Sequence, residues 1–200
     1  MLHMITKKEI IWREILVKTT KREQLEFTRK DLAQKFGFSV STVFNALNTP
    51  RGQGAIKVTG RNFQVVDVEK FLYIWATQRN LEKDIIYKTF FPASAREIEG
   101  LMPPDVVFGA YSAYVHKFGN APADYDKVYV YAGDYELPEI KNRFPETKGN
   151  PNVFILQKDN FLEPENGVTP SVQTFVDLWN LKDWYAREFL DKLGRAGFEL

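Results

Sequence analysis

Ser39-Val40-Ser41-Thr42-Val43-Phe44-Asn45-Ala46-Leu47-Asn48 is the stretch that decides how the first third of this chain folds. Stepping about 100° per residue from Val40, the residues Val43, Phe44 and Leu47 fall at about 300°, 40° and 340°, an apolar arc around Val40. Ser41, Thr42, Asn45 and Asn48 fall at about 100°, 200°, 140° and 80°, on the other side. The spacing predicts a helix over 39–48 with an exposed face of small hydrogen-bonding groups and no acidic residue. Such groups can approach phosphates without repulsion and read base edges, asparagine pairing bidentately with adenine. Thr42 and Asn45 are the expected base contacts, with Ser39, Ser41 and Asn48 beside them.

The flanking sequence supplies the rest of a reading head. Upstream, Ile11, Ile15 and Leu16 with Lys8, Arg13 and Lys18 between them predict an amphipathic helix over 7–18. Thr28-Arg29-Lys30-Asp31 has the hydroxyl and the carboxylate of a capping box. Leu32, Ala33 and Phe36 then share one face, and Gly37 suits the left-handed position that ends a helix. Ala33, Gly37 and Val43 are spaced as in a helix-turn-helix. Downstream of Pro50-Arg51-Gly52-Gln53-Gly54, inward Ile56, Val58, Phe63 and Val65 alternate with outward Lys57, Thr59, Arg61 and Gln64. Thr59-Gly60-Arg61-Asn62 is the turn of a hairpin. Three helices followed by a hairpin resemble a winged helix-turn-helix. On that reading Arg51, Lys57, Arg61 and Asn62 lie on or beside the wing, placed for phosphates or the minor groove. Arg29 and Lys30 would grip the DNA backbone at the start of the second helix.

The charge distribution agrees. Residues 1–66 hold 12 Lys/Arg against 5 Asp/Glu, a net of 12 − 5 = +7, and the remainder holds 15 against 21, a net of −6. A basic segment the size of one small domain suits a polyanion. The alternative reading is that these cations only solvate a surface.

Other classes are limited by composition. The absence of cysteine excludes disulfides, thiolate zinc sites and a cysteine nucleophile, and His3 and His116 are too few for a histidine-built metal site. No apolar run approaches the ~18 residues of a membrane span. Residues 1–8 lack an apolar stretch after their charges, so no signal peptide is read there and a cytoplasmic protein is expected. No cofactor motif or Gly-rich phosphate loop is found.

Asp67 opens a further helix toward Arg79, and 80–83 reads as a domain boundary, giving a domain over 1–80 and an α/β domain over 81–200. In the second, strands over 85–90, 106–108, 127–131 and 153–156 alternate with helices over 95–101, 110–118, 137–144, 169–181 and 184–193. The last is read as capped by Asp183 and stopped by Gly194. The overall fold class is α/β (α+β overall), a winged helix-turn-helix followed by a nucleotidyltransferase-like α/β domain. Gly109 and Ser112 at a helix start, with Asp124 and Asp126 before a strand, partly match the phosphate and metal positions of a nucleotidyltransferase. Gly109 and Ser112 are separated rather than adjacent, and Asp124 and Asp126 also read as turn residues. No catalytic or metal-ligating residue is therefore assigned. His116 is read as half-buried packing, and Tyr111, Tyr114, Tyr125, Tyr129, Tyr131 and Tyr135 as sheet-face or partner-facing residues.

Phe108-Gly109-Ala110-Tyr111-Ser112-Ala113-Tyr114 and Thr169-Pro170-Ser171-Val172-Gln173-Thr174-Phe175-Val176-Asp177-Leu178-Trp179 resemble the AbiE-system antitoxin family. That resemblance implies operator binding through the winged helix, repression of the protein's own operon and a nucleotidyltransferase toxin as partner. The expected function is a sequence-specific, double-stranded-DNA-binding transcriptional regulator of the antitoxin type. A nucleotidyltransferase-fold enzyme and a protein-interaction module are the alternatives. A homodimer on a palindrome and a single chain on tandem repeats both remain open.

Overall fold

A computed structural model describes residues 5–196. His3 and the start of the leader reading, residues 1–4, lie outside the described residues. The chain divides into two units, one holding Ile5–Arg79 and the other starting at Asn80. Both mix helices with a sheet, so the fold is α/β overall. Among the described residues no helix is long and apolar enough to cross a membrane.

In the first unit α1 (Lys7–Thr20), β1 (Glu26–Thr28), α2 (Arg29–Phe36), α3 (Val40–Gly52), β2 (Ile56–Thr59), β3 (Asn62–Val65) and α4 (Val68–Gln78) follow one another. Short polar side chains start the helices. Thr6 Oγ1 accepts from Glu9 N while Glu9 Oε2 accepts from Thr6 N. Thr28, Ser39 and Asp67 each accept from the backbone N–H three residues on. Gly37 ends α2 at φ 65°, where a side chain would be strained. Gly60 has φ 63° in the two-residue Gly60-Arg61 turn, so only glycine enters that hairpin turn without cost. The sheet is antiparallel in the order β1-β3-β2. β1 escapes sequence reading because three residues show no period, yet Phe27 stacks on Phe63 with ring centroids 5.6 Å apart.

Four expectations for this unit are corrected. α1 is not a one-faced amphipathic helix, since Arg13 and Glu9 are buried along with Ile11, Trp12, Ile15 and Leu16. α3, α4 and β3 all pack against it. α3 does not end at Asn48 but runs through Pro50 to Gly52. Its buried side is Val43, Ala46, Leu47 and Pro50, so Val40 and Phe44 are exposed, at 49% and 41%. Ala46 and Pro50 fall at about 240° and 280°, which turns the buried arc away from Val40. Val58 shares a sheet face with buried Phe63 but is 41% exposed, because β2 is an edge strand.

Pro50 has no N–H to give to the carbonyl of Ala46, its partner four residues back in a helix. The indole of Trp12 supplies the missing donor: Trp12 Nε1 donates to Ala46 O at 2.7 Å.

In the second unit a single 3₁₀ turn, Leu81–Asp84, precedes β4 (Ile85–Thr89), α5 (Ala95–Gly100), β5 (Val107–Gly109), α6 (Ala110–Phe118), β6 (Val128–Ala132), α7 (Leu137–Arg143), β7 (Val153–Gln157), α8 (Ser171–Trp179) and α9 (Ala186–Ala196). The sheet order is β4-β7-β6-β5; β6 and β7 are parallel and the other pairs antiparallel. Alternation along β6 separates two layers. Val128, Val130 and Ala132 pack with Ile98 of α5 and Ile140 of α7. Tyr129 and Tyr131 face the side of α6, α8 and α9, where Tyr129 meets Tyr111 and Tyr131 bonds to Asp177. α8 starts at Ser171 and ends at Trp179, inside the expected 169–181. The last helix begins at Ala186, not Trp184, and continues past Gly194. The carboxylate of Asp183 is occupied by Tyr111 and Lys127 instead of capping it.

Replacing Trp12 by Phe leaves the Ala46 carbonyl unpaired and destabilises the protein by about 1–3 kcal/mol beyond the packing lost. Pro50→Ala restores a backbone donor, so the Trp12→Phe loss is smaller in that background. Urea denaturation of the four proteins of the double-mutant cycle measures the difference; equal losses in both backgrounds would show that the indole does not replace the helical bond.

Candidate nucleic-acid interface

The exposed side of α3 and the β2–β3 hairpin are set by the packing just described. Val43, Ala46, Leu47 and Pro50 fix the rotation of α3. That rotation leaves Val40, Ser41, Phe44, Asn45 and Asn48 outward. No side chain from Val40 to Asn48 is charged. Ser39 is the N-cap; its Oγ lies 2.8 Å from Ser41 Oγ and 2.9 Å from Thr42 Oγ1. These three hydroxyls satisfy one another and the first helical turn. Thr42 is half-buried at the edge of the outward arc. Asn45 and Asn48 are exposed and make no side-chain hydrogen bond to the described residues. The polar groups left free on the outward side of α3 are therefore the two amides more than the hydroxyls.

Where α3 meets the hairpin, a cleft of about 70 Å³ opens, room for a few waters. Phe44, Leu47, Val58 and Phe63 line it, and Arg29, Asn48, Arg51, Arg61 and Asn62 stand around it. The first residue of α2, the last turn of α3 and the tip of the hairpin thus bring three guanidinium groups together. Arg29 lies over the ring of Phe44, 5.5 Å from its centroid. Asn62 is held by β1, its Nδ2 donating to Glu26 Oε2 at 3.1 Å. Lys30 is exposed on α2 outside the cleft, and Lys57 projects from the hairpin on the face opposite Val58.

The cations of this unit fall into two groups. Lys18 pairs with Glu23, Lys35 with Glu14, Lys70 with Asp67 and Arg79 with Glu9. Among the described residues Arg29, Lys30, Arg51, Lys57 and Arg61 have no carboxylate partner, and neither do Lys7, Lys8 and Arg22 of α1 and its C-terminal end. Positive charge left uncompensated on one set of elements makes a local field that attracts phosphate.

Sequence reasoning placed Phe44 and Val58 in the core and so missed the apolar floor of the cleft. The signal was present: small Ala46 and buried Pro50 continue the Val43–Leu47 stripe, and counting them moves Phe44 to its rim.

In the second unit Gly109, Ser112 and Asp126 are engaged in packing or hydrogen bonding inside the unit. Ser112 is fully buried, its hydroxyl without a hydrogen-bond partner, and so does not face a phosphate. Gly109 sits in a crowded spot, since a Cβ there would lie 3.0 Å from the Tyr131 ring, which would have to shift to admit it. Ala110 takes φ 47° at the strand-to-helix turn. Asp126 accepts from the hydroxyl of Tyr185 at 2.7 Å. His116 is exposed rather than half-buried, its ring against Phe108 and Nε2 3.4 Å from Glu99. It borders a groove of about 780 Å³ that also holds Arg96, Asp124 and Tyr125. Tyr111, Tyr114, Tyr129 and Tyr131 are buried, whereas Tyr135 is 98% exposed.

No family model, curated protein or solved structure matches this chain.

Burial, reinforced by Asp183, Glu99 and Asp126, pushes the hydroxyls of Tyr111, Tyr125, Tyr129 and Tyr185 well above their ordinary value near 10. Folding thus favours their neutral form, a stability present below pH ~10 and lost as pH rises further. Tyrosinate absorbance on alkaline titration is expected to rise in two phases, the second coincident with unfolding. All nine tyrosines ionising together near pH ~10 with native circular dichroism retained would contradict the burial of these four.

Proposed function

We propose that this protein is a sequence-specific DNA-binding transcriptional regulator whose reading head is the Ile5–Arg79 unit. The order α1-β1-α2-α3-β2-β3 supports reading that unit as a winged helix, with α3 in the major groove and the hairpin as wing. The observation that carries the proposal is the contrast within one small unit. The outward side of α3 is uncharged, while Arg29, Arg51 and Arg61 converge beside it without carboxylate partners. Lys30 and Lys57 add backbone contacts to either side. Cations on flanking elements supply affinity to phosphates, and amides on the helix supply discrimination between bases.

Within that class, an antitoxin-type autorepressor is the role to which the Phe108–Tyr114 and Thr169–Trp179 resemblance points. Binding to the protein's own upstream DNA, and repression of a reporter driven by it, test that role.

Binding itself is tested by mobility shift over a salt series. Asn45→Ala with Asn48→Ala is expected to weaken binding to a selected site by 10-fold or more, as each amide–adenine pair contributes about 1–3 kcal/mol, and to leave nonspecific binding intact. Equal losses on every sequence would remove α3 from base readout. Arg61→Ala is expected to weaken binding to all sequences and to reduce the slope of log K against log salt by about one. An unchanged slope takes the hairpin out of the interface.

A further inference from the structure

We infer that the first two turns of α3 read A·T pairs, with Val40 and Phe44 packing on thymine C5-methyl groups. The inference rests on the DNA-binding reading above and names what that site selects. Val40 and Phe44 are 49% and 41% exposed although each is large and apolar. They lie one helical turn apart on the same outward arc as Asn45 and Asn48. Single exposed apolar residues are ordinary on a protein surface. These two are set apart by their surroundings: nothing charged between positions 40 and 48, and three guanidinium groups at the end of the arc.

The cations ask for a polyanion, so the occupant of the apolar spot has to be an apolar group carried on a polyanion. On the major-groove edge of an unmodified duplex, the thymine methyl is that group. The other half of the same base pair presents adenine N6 and N7, the edge an asparagine amide matches. One helix face thus carries complements to both partners of an A·T pair. Arg51, the cation of α3 that could pair with guanine, comes 11 residues after Val40, about 16 Å further along the axis. It belongs to the cleft, beside Arg29 and Arg61. The guanidinium of Arg29 lies against the Phe44 ring and restrains it, which lowers the ordering cost when the ring meets a methyl. Val40 and Phe44 are about 6 Å apart along the helix, close to two base-pair steps, so the contacted thymines are expected with one base pair between them.

The test uses the full chain. Duplexes are selected from a random pool, and the tightest is remade with deoxyuridine in place of thymidine, which removes only the C5-methyl. Burying one methyl is worth about fourfold in affinity, so loss of two contacts is expected to weaken binding by about 15-fold. In the Val40→Ser, Phe44→Ser double variant, which leaves no methyl at either position, the ratio of thymine to uracil affinities is expected to fall to about one. Both positions are exposed, so the variant keeps its fold, checked by circular dichroism. Arg51→Ala is expected to weaken both duplexes alike and to keep the ratio. Tight sequence-selective binding indifferent to uracil substitution would overturn the thymine reading and leave DNA binding standing. No selected duplex at any salt would overturn the DNA reading, and the inference with it. Self-association abolished by Phe44→Ala, with no thymine dependence, would assign the patch to a second copy of the chain.

Discussion

One side-chain hydrogen bond, from the indole of Trp12 to the carbonyl of Ala46, lets the first unit keep a proline inside α3. Proline in a helix interior costs about 3 kcal/mol, because it removes a donor and crowds the carbonyl four residues back. At Ala46 that carbonyl would be left unpaired on the buried side of α3. The indole reaches it from α1, and Trp12 is itself fully buried, so the donor has no competing water. The last turn of α3 therefore forms, and it holds Arg51 on a helix beside Arg29 and Arg61. The buried proline ring also adds apolar surface on that side. Together with Ala46 it sets the rotation that turns Phe44, Asn45 and Asn48 outward.

Charge inside the unit is handled differently from charge at its surface. Glu9 is buried, yet it accepts from Thr6, receives the Trp75 indole N–H at 3.3 Å and lies 3.5 Å from Arg79. A buried carboxylate with several donors offsets its desolvation; one deprived of a partner would not. This set ties the start of α1 to the end of α4. The remaining paired cations are neutralised locally. Arg29, Lys30, Arg51, Lys57 and Arg61 keep their charge uncompensated around the cleft and the hairpin, as do Lys7, Lys8 and Arg22 at α1. The net of +7 read from residues 1–66 understates how unevenly that charge is spread.

The elements with strong local signals were legible in the sequence. Thr28 and Asp67 cap helices as their spacing implies, Gly37 takes the left-handed position, and the four strands of the second unit lie where apolar runs put them. What failed to show depends on partners distant in sequence. Pro50 reads as a helix breaker unless Trp12, far upstream, is known to replace the missing donor. β1 is too short to have a period and exists because β3 pairs with it. Asp183 looks like a cap, but Tyr111 and Lys127 claim its carboxylate. Gly109 looks like a phosphate-loop glycine, whereas its backbone lies close against the ring of Tyr131. For the candidate interface, amides and cations were legible as residue types. The apolar floor was not, because an angle counted without Ala46 and Pro50 put Phe44 on the wrong side.

On the DNA-binding function proposed above, the separation of cations from the outward arc of α3 has a physical rationale. A lysine on the outward arc of α3 would add affinity for every duplex alike, since phosphate attraction is long-ranged and blind to sequence. Amides and methyl-contacting side chains act only over hydrogen-bond and van der Waals distances, so their energy is collected only when the matching edge is in place. Keeping Arg51 at the far end of α3, and the other cations on α2 and the hairpin, lets the backbone position the helix without diluting the difference between sites. The same arrangement explains why the apolar groups lie next to the cations: guanidinium planes can cover aromatic rings and still face phosphate. Phe44 is thus covered on one side by Arg29 in the free protein and keeps 41% of its surface exposed.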